Sequence, residues 1–160
     1  MIRDQAWLQS QLDFLLEGGF SDMPRPNRIT IEFGRKAQRR LGSIRMSRDK
    51  KRSSILINGI FRQEIVPQEV VRATIAHELC HYAHGFCSPL ERKYSSPHAG
   101  GIIDRELRKR GLELYSRFEK DWTKAHWPKI LAAEFPRKQR TLRARRSAPS
   151  AIRLLRRLFQ

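Results

Sequence analysis

The chain has 160 residues, 39% of them hydrophobic, which is enough for one domain with a proper core plus extensions and too few for two comfortable domains. A net charge of +17 and a sequence pI near 11.1 imply a polyanionic partner, with nucleic acid ahead of an anionic membrane surface or mere solubility. Two cysteines, Cys80 and Cys87, exclude a disulfide framework and a four-cysteine zinc ribbon.

The opening stretch MIRDQAWLQSQLDFLLEGGF carries charge throughout and lacks the apolar run of a secretory signal or a membrane span, so a cytoplasmic protein is expected, nucleoid-associated in a bacterium or nuclear in a eukaryote. Residues 4–17 read as an amphipathic helix, with Leu8, Leu12, Leu15 and Leu16 on one side and Gly18 and Gly19 ending it. SDMPRPN is a loop by its prolines, and RITIEF alternates as a half-buried strand does, with Ile29, Ile31 and Phe33 pointing one way. Residues 41–47 and 53–59 are two further strands, and the polar RDKKR between them makes a hairpin with a basic tip.

Val66-Pro67 opens the next helix, Val70, Val71, Ile75 and Leu79 give it an apolar side, and Gly85 is its natural stop. After the loop-like GFCSPLERKYSSP, Ser96-Pro97 starts another helix at about His98, which bends at Gly111 and continues through LELYSRFEKDWTKAHW. A short helix after Pro128 closes the compact part, so the expected organisation is a domain over 1–135 and a basic tail over 136–160. In the tail, PRKQRTLRARRSAPS lacks the apolar content to fold alone, whereas AIRLLRRLF returns to helical spacing with arginines opposite its apolar face.

The basic residues are clustered. Residues 34–52 hold nine Lys/Arg against Asp49 alone, and residues 136–160 hold nine with no acid. The hairpin-tip group (Arg45, Arg48, Lys50, Lys51, Arg52) and the tail group (Arg143, Arg145, Arg146) are therefore the candidate nucleic-acid contacts, with little sequence preference expected.

Chemistry concentrates at residues 74–98. His77 and His81 are four apart, so on a helix both imidazoles project from one face and can reach one ion at about 2.0–2.1 Å. Glu78 then sits beside the ion, where it can take a proton from water, the H-E-x-x-H arrangement of zinc hydrolases. A catalytic zinc needs a third protein ligand and an open position. His84 lies two turns from His77, about 10 Å along the axis and too far for one ion. Cys87 stands where a metzincin would place its last histidine, but His84 occupies the position of that pattern's turn glycine. His98 is the better candidate, with Asp104 and Glu106 as the carboxylate alternatives.

The run RLGSIR…ILINGIF…VPQEVVRATIAHELCHYAHG…PHAGGIIDRELRKRGL resembles the SprT-like, or Spartan-type, zinc metalloproteases over roughly residues 28–112. The resemblance implies an α+β fold, a zincin-like minimal metalloprotease domain in which a small antiparallel sheet packs on helices. It assigns His77, His81 and His98 as Zn2+ ligands and Glu78 as the catalytic base, and implies a peptidase acting on DNA-associated or DNA-crosslinked proteins, with DNA promoting cleavage. The sequence departs from the family at Ala99, which stands between His98 and the glycine, at Ile102 or Ile103 in place of phenylalanine, and in lacking the zinc ribbon of many relatives. Tyr82, Tyr94 and His84 are the candidates for stabilising an oxyanion. Two rival readings are a non-catalytic nucleic-acid-binding protein with a structural zinc closed by Cys80, Cys87 or His84, and a membrane-associated peptidase held reversibly by the C-terminal amphipathic segment.

Overall fold

The computed structural model of the chain describes residues 2–136. Helix α1 (Gln5–Glu17) begins where the Asp4 carboxylate accepts a hydrogen bond from the Trp7 amide at 2.7 Å, and it buries Leu8, Leu12 and Leu15 completely. Each of these leucines stabilises the core by about 1.5–3 kcal/mol relative to remaining in water.

Three strands follow, β1 (Arg28–Phe33), β2 (Gly42–Met46) and β3 (Arg52–Ile57), in the spatial order β1-β3-β2. β2 and β3 form the expected antiparallel hairpin, Gly42 facing Ile57 and Met46 facing Ser53. β1 runs parallel to β3, Arg28 beside Arg52 and Phe33 beside Ile57, so the sheet is mixed and the expected all-antiparallel sheet is corrected. Alternation in RITIEF specifies which face is buried, not the direction of the neighbour; the segment 34–41 carries the chain past the place of β3 before β2 begins.

Helix α2 (Gln68–Ala83) crosses the sheet with Val70, Val71, Ile75 and Leu79 fully buried. It ends in a Schellman turn: the Gly85 amide bonds the Tyr82 carbonyl at 3.0 Å and the Phe86 amide bonds the His81 carbonyl at 3.0 Å, with Gly85 at φ 77°. An added Cβ there would strike the Glu91 backbone, so glycine both stops the helix and admits the returning loop.

Three boundaries differ from expectation. His98 stands before a single 3₁₀ turn (Ala99–Gly101), and helix α3 (Ile102–Lys109) starts only after Gly100 and Gly101, both left-handed. Helix α4 (Glu113–Glu134) runs unbroken through Pro128, where a separate short helix was expected. Pro128 is exposed, so the carbonyl it leaves without an N–H partner, that of Lys124, lies on the solvent side of the helix. Gly111 is a full break between α3 and α4 rather than a bend. Among the described residues no helix is long and apolar enough to cross a membrane. Arg143, Arg145, Arg146 and the amphipathic segment near the C-terminus lie outside the described residues.

Candidate metal centre and cleft

His77 and His81 stand one turn apart on α2, their rings 4.8 Å apart between centroids. The loop after α2 returns His98 to them, its ring 5.4 Å from that of His77 and 4.6 Å from that of His81. One nitrogen from each lies within 4.8 Å of the others, the three forming a group able to hold a metal ion. Burial first, and then a neighbouring imidazole, lowers the pKa of both helical histidines to about 4, which keeps each ring neutral and its lone pair available at neutral pH. The buried Nδ1 of His81 has no hydrogen-bond partner, a costly condition in a packed interior unless a ligand or ion accounts for that ring. The donor set therefore fits a divalent ion of the zinc type.

The carboxylate candidates for third ligand are occupied elsewhere. Asp104 receives Lys120 Nζ at 2.7 Å and the Ser116 hydroxyl at 3.1 Å. Glu106 accepts from Arg110 Nε at 2.8 Å and faces the buried His84 at 3.5 Å. Cys87 donates its thiol to the Ile44 carbonyl at 3.3 Å.

Glu78 is 6% exposed and lines a cleft of about 790 Å³ together with His77, His81 and His98. Burial, then the charge of Glu119, raises its pKa to about 7, against the opposing pull of Arg40 and the Ile44 amide. Glu119 reaches the cleft from α4 and accepts the Thr74 hydroxyl at 3.1 Å, and burial raises its carboxyl too. Nothing local in the sequence marks Glu119; packing of α4 on α2 brings it there. The opposite wall is β2. Gly42 lies so near α2 that an added Cβ would sit 2.7 Å from Thr74 Cγ2 and 3.0 Å from Glu78 Oε1. One edge of β2 pairs with β3; the other, which no strand covers, faces the cleft, and there Ile44 gives its amide to Glu78 and its carbonyl to the Cys87 thiol.

Of the oxyanion candidates, Tyr82 is wholly buried and donates its hydroxyl to Asn27 Oδ1 at 2.7 Å, a structural bond. His84 is wholly buried behind α2, and Tyr94 lies edge to face against it at 4.8 Å. None of the three lines the cleft. Charged groups that do, Arg39, Arg40, Arg92 and Lys120, escaped the sequence reading because only the fold brings them together.

The five hairpin-tip residues are all exposed. Asp49 shapes their turn, accepting from the Ser47 hydroxyl at 2.5 Å and the Lys51 amide at 3.1 Å, and these bonds lower its pKa. Asn27 anchors the turn by donating to the Lys50 carbonyl at 3.0 Å and the Ser53 hydroxyl at 2.9 Å.

No protein-family model and no curated protein matches the chain. Among solved structures it is similar to the metallopeptidase zymogen jannalysin of Methanocaldococcus jannaschii, at 19% identity and a TM-score of 0.46, over 81% of this chain and 98% of that one. A likeness of that size carries no assignment, and the chemistry has to be read from the cleft.

Proposed function

We propose that the chain is a zinc-dependent endopeptidase of the SprT-like kind, acting on proteins gathered on nucleic acid. The observation that carries the reading is the convergence of His77, His81 and His98 on one point, with a buried glutamate beside it and the outer edge of β2 opposite. Three nitrogen donors with no fourth His, Cys, Asp or Glu in the group, among the described residues, support a catalytic site with an open position over a closed structural one. A zinc ion held by these histidines supplies Lewis acidity, which acidifies water and polarises a carbonyl.

The remaining chemistry belongs to the chain. Glu78, buried beside the three histidines, accepts a proton from the attacking water and returns it to the leaving amine. Beyond Ile44, whose amide and carbonyl are taken by Glu78 and Cys87, the outer edge of β2 pairs with an extended polypeptide through backbone hydrogen bonds, which positions a carbonyl with little dependence on the flanking side chains. The exposed hairpin tip holds nucleic acid through phosphate contacts, so binding weakens steeply with salt. Proteolysis of a denatured protein by the zinc-loaded chain, with and without DNA, tests the reading. Glu78→Gln abolishes cleavage while zinc and DNA binding persist; cleavage by that variant at the wild-type rate contradicts the mechanism.

A further inference from the structure

The mouth of the cleft carries two arginines, Arg39 and Arg40, the second of which also acts at a distance on Glu78. Arg39 and Arg40 are exposed, line the same cleft as Glu78 and the three histidines, and have no carboxylate partner within ion-pairing distance among the described residues. Two nearby lysines are engaged: Lys36 pairs with Glu134 at 2.5 Å, and Lys120 pairs with Asp104 at 2.7 Å. Arg92 donates to the Tyr94 and Ser95 carbonyls at 3.1 and 2.8 Å.

The segment that presents the pair is held from two sides. Asn58, 4% exposed, donates its amide to the Ala37 carbonyl at 2.7 Å and the Arg40 carbonyl at 2.8 Å. Its oxygen accepts from the Ala37 and Ile60 amides at 3.3 and 3.0 Å. From α4, Trp127 Nε1 reaches the Gln38 carbonyl at 3.3 Å. A buried amide spending its hydrogen bonds on an arginine-bearing loop fixes the backbone from which those side chains extend, and prior ordering of that backbone lowers the entropy cost of binding.

Arg40 also precedes Gly42, the first residue of β2, by only two positions. A polypeptide paired along that edge advances about 3.3 Å per residue, which places side chains two to four positions from the reacting carbonyl within reach of a guanidinium. The hairpin tip lies at the other end of β2, so the two basic groups are separated by a strand length of about 17 Å.

We infer that the cleft accepts polypeptide segments rich in Asp or Glu, with Arg39 and Arg40 as the receptors for their carboxylates. The inference rests on the peptidase reading for its catalytic consequence. A guanidinium fork matches a carboxylate in bidentate geometry, and placement at the rim favours encounter and selection.

The test uses the zinc-loaded full chain and quenched fluorescent peptides of equal length that differ only in carrying Asp, Asn or Lys on one or the other flank of a common centre. At physiological salt, kcat/KM is expected about three- to tenfold higher for Asp than for Asn on one flank, with Lys lowest. Arg39→Glu/Arg40→Glu is expected to reverse the order and Arg39→Gln/Arg40→Gln to flatten it. Ratios within one variant cancel any effect of Arg40 on Glu78. The same order is expected in the anisotropy of the same peptides carrying the fluorophore without the quencher on Glu78→Gln protein, which does not depend on turnover. Acid-selective binding with no cleavage of any peptide ends the peptidase reading and keeps the receptor. Equal treatment of Asp and Asn peptides overturns the inference while leaving a peptidase. Persistence of the preference in both double variants overturns the assignment to these arginines, as does loss of DNA affinity in the variants without any peptide preference.

Discussion

Glu78 on α2 and Glu119 on α4 face one cleft, and the hydroxyl of Thr74, one turn before Glu78, donates to Glu119 at 3.1 Å. Burial raises both carboxyls, and Glu119 is the largest charge acting in the same direction on Glu78. Removing that charge makes ionised Glu78 easier to form. The acid limb of kcat/KM against pH is therefore expected to move to lower pH in Glu119→Gln, with the metal content unchanged. A limb that stays in place, or moves up, means that Glu119 does not set the base.

The same burial makes Glu78 a cost to the metal-free fold. Its pKa rises from an ordinary 4.5 to about 7 in the folded chain, so between those values the folded state holds the extra proton. Stability contributed by the protonated form is complete below about pH 4.5 and is lost as the pH rises through 7. In metal-free protein, Glu78→Gln should raise the thermal midpoint more at pH 8 than at pH 4.5. His77 and His81 act oppositely: with folded values near 4 they favour the fold above their unfolded value of 6.5 and withdraw that support as the pH falls. Comparing the two proteins at each pH isolates the glutamate. Equal shifts at both pH values would show that Glu78 is not held in a desolvated site.

Gly42 sets the spacing between the strand edge and the base. A methyl group there would sit 2.7 Å from Thr74 Cγ2 and 3.0 Å from Glu78 Oε1, so the α2 side chains facing the strand, Glu78 among them, must shift. Misplacing a catalytic group by an ångström can cost about 100-fold, so Gly42→Ala should lower kcat by one to two orders of magnitude, about 10- to 100-fold, while retaining the metal. Single-turnover rates beside metal content separate these effects. Wild-type kcat in this variant would mean that the strand and the base are not coupled.

The sequence reached the metal centre where the chemistry is local. An i,i+4 histidine pair shares a helix face whatever surrounds it, and Gly85 stops α2 because the left-handed turn is a backbone matter. His98 was reachable through ligand chemistry, although its backbone sits on a loop ahead of a 3₁₀ turn rather than on a helix, because two consecutive left-handed glycines delay α3. Glu119 lies 41 residues beyond Glu78, and Asn58 holds Arg40 across 18; neither relation leaves a trace in spacing. The direction of β1 was likewise invisible, since alternation is the same in parallel and antiparallel pairing when one face is buried. Pro128 misled because its position on the exposed side of α4 is set by tertiary packing.

The most direct measurement is zinc per chain by elemental analysis of protein purified without added metal, for wild type and His98→Ala side by side. The three-histidine centre requires one zinc in wild type and a large loss in the variant, because two imidazoles on one helix leave the ion without its third protein ligand. Full zinc in His98→Ala would contradict this centre and move the third ligand elsewhere, and no zinc in either protein would return His77 and His81 to packing.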